Sequence, residues 1–318
     1  MTTSPATAGR AERSSVPAVD EHGIRNRRRA YLLTAGFVFL VAAVLAGLSA
    51  LAGWGPAGLA AALLLAGAAA LAGWWTSASV VLAMSRAQPA DPLEYARLHN
   101  LVEGLCIASG LPKPRVYVID DDALNALATG RDPRHAAVAV TTGLLRALTR
   151  VELEGVVAHE LSRIRSYDIV VSTLAVTFVA PVVVVADWLI RFRWWGGGRN
   201  RPGELDGRLP VLGSVGVALL GLSPVVAPVM RRVVPGRGEL RADLPAVELT
   251  RYPPGLAAAL EKLRDGQTVV HSGSRATAQL WIQTPIALTP EQGELCRINR
   301  RFDIHPPIEE RIAALYEL

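Results

Sequence analysis

The chain is short of lysine, of cysteine and, along one long stretch, of charge altogether. Of its 33 basic residues only Lys113 and Lys262 are lysine; the rest are arginine. Ala, Gly and Val are abundant alongside it, which reads as genome composition. No basic stripe with interleaved aromatics runs along the sequence, so nucleic acid is not an expected partner. Cys106 and Cys296 are the only cysteines. That excludes a disulfide-built scaffold and fits a reducing compartment or simple core packing. Charged residues make up 19% of the chain, against roughly 25% in typical soluble proteins. The deficit is local: from Ala30 to Ser85, 56 consecutive residues carry no Asp, Glu, Lys or Arg. Such a stretch excludes both a purely soluble protein and intrinsic disorder.

What is there begins with a polar segment, residues 1–24, rich in Ser, Thr, Ala and Glu, that reads as disordered. Arg25, Arg27, Arg28 and Arg29 follow, and then an apolar run from Ala30 to Gly53. That run is too long for a signal-peptide core of ~7–15 residues and long enough for the ~20 residues of a membrane span. After the turn at Trp54-Gly55-Pro56, a second run extends from Ala57 to Met84. The pair predicts a transmembrane hairpin over 30–86, with small residues along Leu59–Gly73 allowing close helix approach. Trp54, Trp74 and Trp75 are suited to the membrane interfaces, and the positive-inside tendency puts the basic tail, 1–29, and Arg86 in the cytoplasm. Further apolar runs over 169–230 predict a second, internal hairpin around a basic loop at 191–208. Two full crossings would put that loop outside, against the same tendency.

The remaining segments, 87–168 and 231–318, are soluble in character. Helical periodicity marks Pro92–Ser109, Pro254–Leu263 and Ile308–Leu318; alternation marks strands at Arg115–Asp120 and Ala136–Val140. Thr149-x-x-Glu152 is a capping box that starts a helix near Arg150. On that helix lies His159-Glu160-Leu161-Ser162-Arg163. In an H-E-x-x-H site two His one turn apart bind zinc and the Glu serves as general base. Here the second His is Arg163.

Five ordered blocks carry a resemblance. They are Leu111–Val118; Asn125-Ala126-Leu127-Ala128-Thr129-Gly130; Val151–Asp168; Glu239-Leu240-Arg241-Ala242-Asp243; and His305-Pro306-Pro307-Ile308-Glu309-Glu310-Arg311. Together they resemble the HtpX-type membrane zinc metalloproteases, a gluzincin family. The resemblance implies an α+β fold: a mainly helical metalloprotease domain with a small sheet, interrupted by the second hairpin. It implies one zinc ion held by His159 and Glu239, with Glu160 as catalytic base and Asp243 orienting a ligating His. It also implies that the segment containing Asn125 and Ala126 pairs with extended substrate, and that the substrates are misfolded membrane proteins. The protein would then be a multi-pass cell-membrane metalloendopeptidase, with the bilayer and membrane proteins or peptides as partners and its domain facing the cytoplasm.

Arg163 departs from that pattern. A guanidinium has no lone pair to give a metal and keeps its charge at any useful pH. A catalytic zinc takes three protein ligands plus water, and one is missing. Asp243 and Asp168 are candidate replacements, without the i+4 spacing to His159. Alternatively Arg163 reaches Glu239 or Glu160 and fills the metal's place with an ion pair, which predicts an inactive member that binds protein segments as an adaptor or regulator. A structural membrane protein with a decayed domain is a third reading. Gln279, where the family has a His before the apolar stretch, departs in the same direction. His305, just before Pro-Pro at a helix start, reads as structural.

Overall fold

A computed structural model of the chain describes residues 17–51, 53–178, 238–266, 268–274, 277–287 and 305–318. The basic loop 191–208, most of the expected second hairpin and Cys296 lie outside the described residues.

Helix α1 runs from Pro17 to Leu51 and α2 from Gly55 to Met84. α1 thus begins inside the segment expected to be disordered, upstream of the basic cluster. Both helices are long and apolar enough to cross a membrane. Gly58, Ala62, Ala66 and Ala70 form a buried stripe on α2; their i, i+4 spacing sets them on one face, where small side chains let α1 approach. Leu63, Leu64, Leu65 and Leu71 point outward and are exposed. Near the other end of the pair Tyr31 stacks on Trp74, with ring centroids 6.2 Å apart.

A four-stranded mixed sheet follows, in the order β1-β2-β4-β3. Its strands are β1 Gln88–Pro89, β2 Arg115–Ile119, β3 Ala126–Gly130 and β4 Ala136–Thr141. β2 and β4 pair in parallel with Val116 opposite Val138, and β3 folds back antiparallel on β4 with Ala126 opposite Val140. Helix α3, Ala96–Ser109, crosses from β1 to β2 and closes on Gly110 at φ 69°, the left-handed cap that suits glycine. Its Leu98, Leu101, Val102 and Leu105 are buried, which is the face the periodicity marks.

The short helix α4, Thr142–Ala147, leads into α5, Arg150–Arg165. Nearly every side chain of α5 from Glu152 to Ile164 is buried, so it is the central helix of the domain. α6, Asp168–Phe178, continues the chain at an angle, and its Phe178 stacks on Phe37 of α1, 4.3 Å between centroids. α7, Gly238–Thr250, and α8, Pro253–Asp265, cover α5 from the side away from the sheet, and α9, Ile308–Tyr316, closes against them. At the α5–α8 crossing only glycine fits: a Cβ on Gly155 would sit 2.8 Å from the backbone of Leu256. Among the described residues the fold is mainly helical with one small mixed sheet.

Candidate active site

The helix that carries the site is fixed at its start by local chemistry. Thr149 Oγ1 accepts from the Glu152 amide at 3.4 Å, and Glu152 Oε2 accepts from the Thr149 amide at 2.7 Å. Lys262 of α8 donates to the same carboxylate at 2.8 Å. With the first turn set, His159, Glu160 and Arg163 fall in the last two turns of α5, facing α7, α9 and the 278–282 segment. Ser162 Oγ lies 2.7 Å from the carbonyls of both His159 and Ala242, tying α5 to α7.

α7 brings Glu239 and Asp243, one turn apart, against His159. His159 Nδ1 donates to Asp243 Oδ1 at 2.7 Å, and its Nε2 stands 3.4 Å from Glu239 Oε2. Arg311 of α9 grips Asp243 with two bonds of 2.8 Å, from Nε to Oδ2 and from Nη2 to Oδ1. Its Nη1 donates to the Ile282 carbonyl at 3.0 Å and pairs with Glu239 Oε2 at 3.1 Å. His305 Nε2 donates to the Ala278 carbonyl at 3.1 Å, and Nδ1 lies 3.5 Å from Glu239 Oε1.

Arg163 fills the other half of the cluster. Its Nη1 donates to the Leu280 carbonyl at 2.7 Å and to Glu160 Oε2 at 3.3 Å. Nε donates to Asp168 Oδ2 at 3.2 Å, and Nη2 to the Gln279 carbonyl at 3.3 Å. The residue is 1% exposed. Of the two partners expected for it, Arg163 takes Glu160; Glu239 is paired with Arg311 instead.

Charge is arranged so that opposite signs alternate. Burial would drive His159 toward neutrality, but Asp243 and Glu239 overcome it and hold the imidazole's pKa up at about 9. Burial raises Glu160, with Arg163 opposing. Glu239 and Asp243 are also buried, yet Arg311 and His159 hold both carboxyls below the usual range, Glu239 far below it. Arg163 keeps its proton against burial because Glu160 and Asp168 face it.

The sequence model of Peptidase family M48 matches residues 92–318. The chain belongs to Peptidase family M48. Within it the chain is of the HtpX type. It is 36% identical over 294 residues to a protease HtpX homolog of Thermoanaerobacter pseudethanolicus, covering 92% of this chain and 95% of that one. A protease HtpX homolog of Limosilactobacillus fermentum is 36% identical over 297 residues, 92% of this chain and 98% of its own. One from Caldanaerobacter subterraneus is 38% identical over 243 residues, 76% and 78% of the two chains. Among solved structures, the crystal structure of S. mikatae Ste24p aligns with 95% of this chain and 67% of its own at TM-score 0.44 and 17% identity.

The M48 proteases are metalloenzymes, so the donor set matters. His159 Nε2 and Glu239 Oε2 are buried, 3.4 Å apart and make no hydrogen bond, although Arg311 Nη1 stands 3.1 Å from the same oxygen. The third position is a guanidinium whose donors are spent on four acceptors. The proposed replacements are spent as well: Asp168 on Arg163, and both oxygens of Asp243 on Arg311. Among the described residues no group of three or more His, Cys, Asp or Glu is placed to hold a metal ion. These residues do not fit a catalytic zinc with three protein ligands.

Asn125 and Ala126, expected to meet substrate, have internal partners. Asn125 is fully buried, and its Nδ2 donates to the carbonyls of Thr268 at 3.0 Å and Gln283 at 2.9 Å. The Ala126 carbonyl accepts from the Ile282 amide at 2.9 Å, and Leu127 bridges Trp281. At Ala126 and Leu127 the outer edge of β3 is therefore met by the chain's own 281–282; Arg311 holds the Ile282 carbonyl, and Arg163 holds those of Gln279 and Leu280 just before it.

Arg311 is the residue the sequence reading left without a role, although its signal is present. Ile308, Ile312 and Leu315 form the buried face of α9, and position 311 falls on that face by helical spacing. An arginine on an apolar stripe requires buried acceptors. His305, read as structural, borders Glu239 and belongs to the cluster. Gln279 turns its side chain away, to the Ser172 carbonyl at 3.2 Å.

Proposed function

We propose that this chain is a membrane-embedded M48 member that keeps the protease domain but does not hydrolyse peptide bonds. It acts instead by holding protein segments, as an adaptor or regulator at the membrane. Its domain faces the cytoplasm on the strength of the arginine cluster before the first span. The observation that carries this reading is Arg163. In the family pattern His159 and Glu239 are zinc ligands, Glu160 is the base and Asp243 orients His159. Here a fixed cation occupies the place of the second His, and its Nη1 bonds one oxygen of Glu160. Arg163 also binds the carbonyls of Gln279 and Leu280, so one side chain both removes the ligand and ties down the segment along β3. Capture of an extended segment along the start of β3 requires that 281–282 be displaced from Ala126 and Leu127.

A second reading, zinc-dependent endoproteolysis of misfolded membrane proteins, has one specific support. His159 Nε2 and Glu239 Oε2 are both left without hydrogen bonds. Metal stoichiometry separates the two. Elemental analysis is made on detergent-purified native chain, Arg163→His and Glu239→Gln. The expected result is no zinc on the native chain and a zinc gained by Arg163→His, reported by metal content and independent of activity. Near one zinc per native chain, removed by Glu239→Gln, would overturn the proposal.

A further inference from the structure

A second polar site lies outside the cluster, where α2 leaves the membrane. The level of the interface follows from two exposed tryptophans. Trp54 and Trp75 are 67% and 60% exposed. They stand 21 positions apart, which spans about 31 Å at ~1.5 Å per helical residue, matching a hydrocarbon core ~30 Å thick. Tryptophan favours both boundaries of that core. The part of α2 beyond Trp75 is the part packed on the domain: Ser77, Ala78, Val81 and Leu82 are buried. The level of Trp75 is therefore the headgroup level on the domain's side.

At that level a cleft of about 330 Å³ opens between α2 and the end of the sheet. Lys113 and Arg115 line it from the start of β2, and Arg131, Arg134 and His135 from the β3–β4 connection, with Trp75 as its membrane-side wall. Arg131 is braced there: its Cζ sits 4.1 Å from the Trp75 ring centroid and Nη1 donates to the Trp75 carbonyl at 3.3 Å. The carboxylates nearby do not balance the cations. Glu103 pairs with Lys113 at 2.7 Å, while Asp132 serves His135 at 2.8 Å and Arg131 at 3.7 Å. Arg115 is bonded to the Tyr117 hydroxyl, and among the described residues neither it nor Arg134 has a carboxylate partner. Like charges gathered in one cleft repel unless an anion joins them, and arginine forks match phosphate oxygens.

We propose that this cleft binds the phosphate of an anionic phospholipid headgroup, with Arg131 and Arg134 as its principal donors and Trp75 against the glycerol. A basic pocket beside a membrane helix at headgroup depth is the setting in which such lipids are held. The proposal rests on the membrane reading of the α1–α2 hairpin and is independent of whether Arg163 excludes metal. That reading reports separately, through the native chain's need for detergent.

The test is lipid retention by the full chain in detergent micelles, read by native mass spectrometry with phosphatidylglycerol and phosphatidylcholine offered together. The native chain is expected to keep one phosphatidylglycerol at about tenfold preference, the effect of one charge-assisted hydrogen-bond set. Arg134→Gln, at an exposed position that no fold contact needs, should lower the preference, and Arg131→Gln/Arg134→Gln should abolish it. Arg150→Gln, an exposed arginine outside the cleft, should change nothing. Inorganic phosphate in excess forms the second arm. If it displaces the lipid, or binds alone and is lost in the same variants, free phosphate is the ligand and the lipid assignment fails. Equal retention of the two lipids, or retention unchanged in the double variant, also overturns it.

Discussion

The first turn of α5 is fastened by a capping box of residues three positions apart, with the half-exposed Lys262 added at the surface, whereas its last turn is fastened by carbonyls 116 and 117 positions away. At the start, one hydroxyl and one carboxylate satisfy the orphan amides every helix has, at the rim of the domain. At the end, Arg163 and Arg311 each join groups from separate elements, in a site that excludes water. The first kind of contact is small and nearly independent of its neighbours. The second is coupled: each guanidinium is the counter-charge for two carboxylates, and removing it strands both. Buried ion pairs are weak net stabilisers compared with apolar replacements, but breaking one member leaves an uncompensated charge. The cluster is thus a device for holding α5, α7, α9 and the 279–282 segment in one arrangement.

The largest effect expected is therefore at Arg311. Replacing it by alanine leaves two buried carboxylates, Asp243 and Glu239, sharing the single charge of His159, and should cost ~3–5 kcal/mol in urea unfolding of the detergent-solubilised chain. Arg311→Lys should restore little, because a point charge cannot make the two parallel bonds to Asp243. Arg163→Ala should cost about as much. Adding Glu160→Gln and Asp168→Asn to it should recover part of the loss, a coupling of roughly 1–3 kcal/mol. Strict additivity across those three substitutions would show that the last turn behaves like the first, and the contrast would disappear.

Next in size comes Asn125→Ala. The Asn125 side chain joins β3 to Thr268 and Gln283 through buried carbonyls, and its loss leaves those carbonyls unsatisfied. A cost of about 1–3 kcal/mol is expected, with faster hydrogen exchange at Ile282, whose amide bonds Ala126. Unchanged exchange there would detach Asn125 from the covering of the β3 edge.

The same division explains what could be read from the sequence. The capping box, the small-residue face of α2 and the strands β2 and β4 follow local rules, and each is found where spacing put it. The blocks containing His159, Glu239 and His305 were visible as motifs, but their mutual placement depends on contacts such as Arg311 to Asp243 and His159 to Asp243, 68 and 84 positions apart. Periodicity could show that position 311 lies on the buried face of α9; it could not show that Asp243 and Glu239 would be waiting there. Arg163 was legible as a lost ligand with Glu160 as one of two expected partners; its bond to Asp168 was not, because the break after α5 that brings Asp168 back is built at Tyr167, a non-glycine residue with φ 59°. The motif names Asn125 but says nothing about which way its amide turns, so the bonds to Thr268 and Gln283 were not legible in it.

The smallest effects belong to the start of α5 and sharpen the contrast by their pH dependence. Thr149→Ala removes one cap and should cost ~1 kcal/mol. Glu152 is more telling. Its burial favours the protonated form, but Lys262 and the Thr149 amide outweigh it and hold the carboxyl below its ordinary value of 4.5. The folded chain therefore binds fewer protons at this position than the unfolded chain as the solution is acidified. The stabilisation is fully present above the unfolded value and is lost as pH falls through the lower folded one. The urea midpoint of the native chain should thus exceed that of Glu152→Gln by a constant margin between about pH 7 and 5.5, and the margin should close below about pH 4.5. Salt should narrow the margin at neutral pH, since Lys262 is 40% exposed, whereas the cost of Arg311→Ala should be indifferent to salt because that pair is buried. A margin that widens on acidification would mean that Glu152 is held in its protonated form, and that the cap, not the ion pair, is all that fastens this end of the helix.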